Sequence, residues 1–126
     1  MDCAFTAVWY HLHGPRMAKA SKVFAPYWAR PPGTSPALLY YCNAHGRAVH
    51  EGESALEGLM AQMTSSVQWI DTMRNQYDNG ARRWLELGPK ALLGKMVPPC
   101  LTDRAAADQL DIQLVNNAER AAALAE

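Results

Sequence analysis

The order of apolar runs in this chain predicts an α/β fold with a small, largely parallel sheet. Three observations carry that reading. Short β-forming runs at 4–9, 37–42 and 83–87 alternate with segments of helical periodicity, and strand–helix–strand order is how parallel sheets are wound. The run Ala37-Leu38-Leu39-Tyr40-Tyr41-Cys42 is continuously apolar, as in a strand covered on both faces. Only three strand candidates occur in 126 residues, the first of them opening at Ala4, so the sheet reads as a piece of a larger one.

The elements follow from local signals. Ala4 to Trp9 is a short buried strand by composition, followed by Tyr10-His11-Leu12-His13 and the turn pair Gly14-Pro15. Residues 16–29 have helical composition, and Pro26 should kink or end that helix because it lacks a backbone donor. Pro31-Pro32-Gly33 closes it. After the strand at 37–42, Asn43 to Gly52 is a polar loop. Ser54-Ala55-Leu56-Glu57 fits a capping box, and Leu56, Leu59, Met60 and Met63 then share one helical stripe. A second helix runs from Val67 to Asn79, with Ile70, Met73 and Tyr77 on one face and Gly80 as its left-handed terminator. Arg83-Trp84-Leu85-Glu86-Leu87 is a strand, Gly88-Pro89 turns the chain, and Lys90 to Val97 is a short helix stopped by Pro98-Pro99. The alanine-rich stretch from Asp103 to Glu126 is partly helical.

Composition narrows the function classes. Twelve basic residues balance twelve acidic ones. A nucleic-acid or anionic-membrane surface needs a basic excess, so neither partner is expected. No apolar stretch reaches the length of a membrane span, and Met1 to Tyr10 lacks the basic run of a signal peptide. Cys3, Cys42 and Cys100 are an odd count without close spacing, which favours reduced thiols and a cytoplasmic setting. Cys42, His45 and His50 lack zinc-site spacing, so no metal centre is expected; His45 and His50 read as residues of a solvated loop. Trp69 and Trp84 read as packing aromatics, and Arg82-Arg83 as a solvated pair.

His13 stands just past a strand end, at a turn, where α/β proteins place reactive groups. Imidazole accepts and returns a proton near neutral pH. A lone histidine is weak evidence. The residues around it add weight. Met17 follows His13 by four positions. Tyr40-Tyr41-Cys42 ends in Asn43. Gln62 sits on a helix, and Val67-Gln68-Trp69 opens the next one. Glu86-Leu87-Gly88-Pro89 then leads to apolar Leu92 and Leu93.

In this order and spacing, over roughly residues 10–97, the chain resembles the C-terminal portion of the malonyl-CoA:acyl-carrier-protein transacylases. The resemblance implies the C-terminal part of a three-layer αβα acyltransferase domain over 1–97, incomplete by itself, with 98–126 as a partly helical tail. It implies malonyl transfer from coenzyme A to the phosphopantetheine thiol of acyl carrier protein in fatty acid biosynthesis, with malonyl-CoA and acyl carrier protein as partners and no cofactor. His13 would be the general base, oriented by the backbone carbonyl of Gln62, with Asn43 in a supporting place.

The family's nucleophile sits in a Gly-His-Ser-x-Gly elbow upstream of the histidine, and that motif does not occur in this sequence. Ser35, in Gly33-Thr34-Ser35-Pro36-Ala37, precedes a strand, whereas an elbow runs from strand to helix; it is rejected as the nucleophile. Leu12 stands where related acyltransferase domains use an aromatic or small residue in choosing the acyl group. Two alternatives remain beside the transacylase reading: a catalytically inactive remnant or scaffold half, and a fragment of a polyketide synthase acyltransferase domain. Met17 and the Gly-Pro turn favour the stand-alone enzyme over the last.

Overall fold

The computed structural model describes residues 13–28, 35–90 and 92–124. The strand expected at 4–9 lies outside them. The chain divides at Thr72/Met73 into two compact units, and the dividing point falls within one helix.

The described part of the first unit begins with a 3-10 turn over Pro15–Met17. Proline suits that start because its fixed φ is already helical and its missing N–H would have no partner there. Helix α1, Ala18–Trp28, follows directly and contains Pro26 close to its end, as the composition of 16–29 suggests.

The apolar run at 37–42 departs from expectation. Only Tyr40–Tyr41 forms a strand (β1), and it pairs antiparallel with β2, Ala48–Val49, in the register Tyr40↔Val49 and Tyr41↔Ala48. The loop expected over 43–52 therefore holds the second arm of a hairpin. Its turn is closed by the Cys42 amide on the Arg47 carbonyl at 3.0 Å and the Gly46 amide on the Cys42 carbonyl at 2.7 Å. Gly46 has φ +68°, and a Cβ there would lie 2.8 Å from Asp71 Cβ and 2.9 Å from Thr72 N. Glycine is required on both counts. Cys42 is fully buried, whereas Leu38 is 84% exposed, so within this unit the run is covered at one end only.

Helix α2 spans Gly52–Ala61, with extended Glu51 as its N-cap and no side-chain cap bond. The capping box expected at Ser54 does not form, because β2 releases the chain early enough for Ser54 to lie inside the first turn. Helix α3, Trp69–Asp78, falls within the stretch expected from its periodicity, and Gly80 beyond it has φ +96°.

The second unit is built on two parallel strands. β3, Arg83–Leu87, pairs with β4, Asp111–Val115, from Arg83↔Asp111 through Leu87↔Val115. β4 lies in the stretch read only as partly helical; that stretch also supplies helix α5, Ala118–Ala123. Between the strands, a 3-10 turn at Gly94–Met96 runs into α4, Val97–Cys100. Pro98 and Pro99 thus open α4 instead of stopping a helix. First-turn amides have no intrahelical acceptor, so two prolines cost little there. Met73, Val97, Cys100, Leu101 and Val115 form the buried core of this unit. Its rim is tied by the Trp84 indole N–H on Gln76 Oε1 at 2.8 Å and by a two-pronged Arg104–Asp78 pair at 3.0 and 3.1 Å.

Among the described residues, the architecture is a mixed helix–strand chain with two small two-stranded sheets, one antiparallel and one parallel. That is a partial α/β domain.

Candidate functional site

The site is assembled at the C-terminal end of α2. A helix leaves its last carbonyls without intrahelical partners. Some are met locally: the Thr64 and Ser65 amides bond the Ala61 carbonyl at 3.1 and 3.0 Å. Two are met from the His13 turn. His13 Nδ1 donates to the Gln62 carbonyl at 2.8 Å, and the Gly14 amide donates to the Met63 carbonyl at 3.2 Å. Consecutive groups of one segment thus grip consecutive carbonyls of the other. The Pro15–Met17 turn, closed by the Met17 amide on the Gly14 carbonyl at 2.9 Å, holds the segment in that pose.

The hydrogen bond determines the state of the ring. A carbonyl can only accept, so Nδ1 must carry the proton. In the neutral ring Nε2 then holds the lone pair, and His13 is exposed. A ring held at Nδ1, with no partner for Nε2 among the described residues, can take a proton from an incoming acid and return it.

Asn43 is brought to the same place. Its Nδ2 donates to Gln62 Oε1 at 3.2 Å, and its carbonyl accepts the Gln68 amide at 2.8 Å. His13, Gln62 and Asn43 therefore form one connected hydrogen-bond chain. The Gly14–Met63 bond was not foreseen; the only signal for it is that a small residue follows the histidine directly. Of the residues set aside, His45 accepts the Arg47 amide at 3.2 Å. It flanks a surface hollow of about 480 Å3 together with Arg47, His50 and Ser54.

Glu86 takes a different part. Its carboxylate accepts the amides of Leu92, Leu93 and Gly94 at 3.0, 3.0 and 2.8 Å. These bonds, that from Gly94 foremost, hold its pKa below the ordinary glutamate value. The Glu86-Leu87-Gly88-Pro89 motif is thus an anchor for the turn that starts α4.

The fold is that of part of an acyltransferase-type α/β domain. The chain resembles the C-terminal portion of the malonyl-CoA:acyl-carrier-protein transacylases. The transacylase of Synechocystis sp. PCC 6803 superposes with a TM-score of 0.74 at 23% identity, covering 88% of this chain and 36% of that enzyme. In sequence, the chain is 32% identical over 93 residues to a polyunsaturated fatty acid synthase polypeptide of Thraustochytrium sp., covering 72% of this chain and 3% of that protein. It is 28% identical over 95 residues to the polyketide biosynthesis protein ThaF of Burkholderia thailandensis, covering 75% of this chain and 8% of that one. The chain therefore spans about a third of that transacylase and less than a tenth of either of the two sequence relatives. No protein-family model matches it. Among the described residues, no helix is long and apolar enough to cross a membrane.

Proposed function

We propose that this chain supplies the base half of an acyl-transfer site, and that the reaction is movement of a malonyl group from coenzyme A to the phosphopantetheine thiol of acyl carrier protein. The observation that carries the reading is the bond from His13 Nδ1 to the Gln62 carbonyl at 2.8 Å. It leaves Nε2 as the basic atom and gives Nδ1–H a fixed acceptor in both charge states of the ring, the arrangement a general base needs.

The nucleophile is a serine on a segment outside this sequence. Its Oγ–H proton passes to His13 Nε2 as Oγ attacks the thioester carbonyl. The C–O bond forms, the C–S bond breaks, and the departing coenzyme A sulfur takes the proton back from His13. In the second half, the carrier thiol gives its proton to Nε2 and attacks the acyl-serine, and the serine oxygen recovers that proton on leaving. Support for the acyl donor and acceptor comes from the names of the transacylases with this fold. The match to ThaF favours a second reading, a polyketide acyltransferase segment, which uses the same base chemistry on another carrier protein.

The test is reconstitution. The chain is combined with the serine-bearing portion of the Synechocystis transacylase, truncated before its own histidine, and malonyl transfer to carrier protein is measured. Activity should appear, and His13→Ala should lower it by about a hundred- to ten-thousand-fold. An unchanged rate in that variant would remove His13 from the mechanism. The chain alone should show no mass increase with malonyl-CoA; a malonyl adduct on one of its own serines would place the nucleophile inside it.

A further inference from the structure

We propose that Asn43 is a positioning residue that fixes the tautomer of His13 by acting through Gln62. The catalytic consequence rests on the reading of His13 as a base; the geometry and its test do not.

The Gln62 carbonyl that His13 uses lies just past the end of α2, where the Gln62 amide still bonds the Gly58 carbonyl at 3.0 Å and a short turn to Thr64 and Ser65 follows. Residues 62–68 connect α2 to α3, and Asn43 grips both ends of that connection. Its side chain donates to Gln62 Oε1 at 3.2 Å, and its carbonyl accepts the Gln68 amide at 2.8 Å. The neighbouring residue completes the seat. Cys42, fully buried, packs so closely on Gly58 that a Cβ there would lie 2.5 Å from its Sγ. Gly58 and Gln62 are four residues apart, so they share one face of the last turn of α2, and residues 42–43 lie along that face. The carbonyl is therefore held from the side-chain end of its own residue.

A free neutral histidine side chain prefers the proton on Nε2. The Nδ1–H form in this structure persists only while the carbonyl stays in reach. Releasing the Gln62 side chain lets the turn after α2 swing its carbonyl away from the ring, and the ring reverts toward Nε2–H, which cannot accept a proton at that atom.

The experiment is a long-range 1H–15N correlation spectrum of the His13 ring in the uniformly 15N-labelled full chain, at about pH 8.5, where imidazoles are ordinarily neutral. The parent should show Nδ1 protonated. Asn43→Ala and Gln62→Ala should each shift the population toward Nε2–H, and the double variant should go no further than the larger single shift. Asn43→Asp should keep the parent signature, because its carboxylate can accept from the Gln62 amide turned over. An unchanged tautomer in both alanine variants, or additive shifts in the double variant, would overturn the proposal. If Asn43→Ala fails to fold, Gln62→Ala gives the same readout, since it removes the side chain and keeps the carbonyl. A tautomer that shifts as expected in a reconstituted enzyme without transfer activity would uphold this inference and sink the transacylase reading.

Discussion

Gly58 sits in the middle of α2, where alanine would ordinarily be preferred by about 0.5–1 kcal/mol. Its absent side chain is explained by Cys42: a Cβ would lie 2.5 Å from Sγ and 3.3 Å from Cβ of that fully buried residue. Gly58→Ala is therefore expected to destabilise the chain by about 1–3 kcal/mol, the usual cost of overpacking. In a Cys42→Ala background the same substitution should become neutral or stabilising, because the clashing sulfur is gone and the helix gains a better former. Urea unfolding of the four proteins checks this; equal costs in both backgrounds would show that the contact is not the cause. The contact was not legible in the sequence, since nothing local links residues 42 and 58. The meeting of His13, Asn43 and Gln62 was expected only through resemblance, as residues separated by 49 and 19 positions leave no periodic trace.

At the scale of elements, helices with a clear apolar stripe were legible, and α3 shows why. Its Gly80 terminator is a local signal, and of the expected stripe Met73 is buried whereas Ile70 stays 41% exposed. Strands were harder. The apolar run 37–42 reads equally well as a covered parallel strand or as one arm of a hairpin, and the choice is made by Gly46, whose positive φ and close approach to α3 turn the chain back. Pro98-Pro99 is ambiguous in the same way, since proline ends one helix and begins the next with equal ease.

The joint between β3 and α4 depends on charge. Glu86 accepts three amides, and its pKa is lowered by them. A folded-state pKa below the unfolded one contributes stability that is present above the unfolded value and is lost as pH falls through the folded one. The second unit should therefore lose stability on acidification below about pH 4.5. Asp78, held low chiefly by its hydrogen bond to Arg104, acts in the same direction. Thermal melts from neutral to acid pH should show the parent falling more steeply than Glu86→Gln. That variant should be less stable at pH 7 and should approach the parent at the acid end. Parallel curves would show that the carboxylate charge is immaterial. Gly94 belongs to the same joint, because a Cβ there would lie 2.9 Å from the Ile112 side chain.

For the whole molecule, the decisive feature is apolar surface left uncovered in each unit. In the first, Leu38 is 84% and Leu39 52% exposed, beside a hairpin of two-residue strands. In the second, β3 turns Leu85 and Leu87 outward, the latter 78% exposed, on a sheet that holds two strands among the described residues. Contiguous apolar faces and unpaired strand edges drive association, because each offers area and backbone groups that a second surface can remove from water. Zero formal net charge adds no repulsion to oppose contact. The purified chain is therefore expected to self-associate, with a weight-average sedimentation coefficient that rises with protein concentration. Leu38→Lys and Leu87→Lys should each weaken that association without lowering thermal stability, since both positions are mostly solvent-exposed and their replacement leaves no cavity. Adding the serine-bearing transacylase portion should compete with self-association if the same faces receive it. A chain that sediments as a monomer at every concentration and melts in one cooperative step would show that these faces need no cover. It would also remove the physical reason for reading the sheet as part of a larger one.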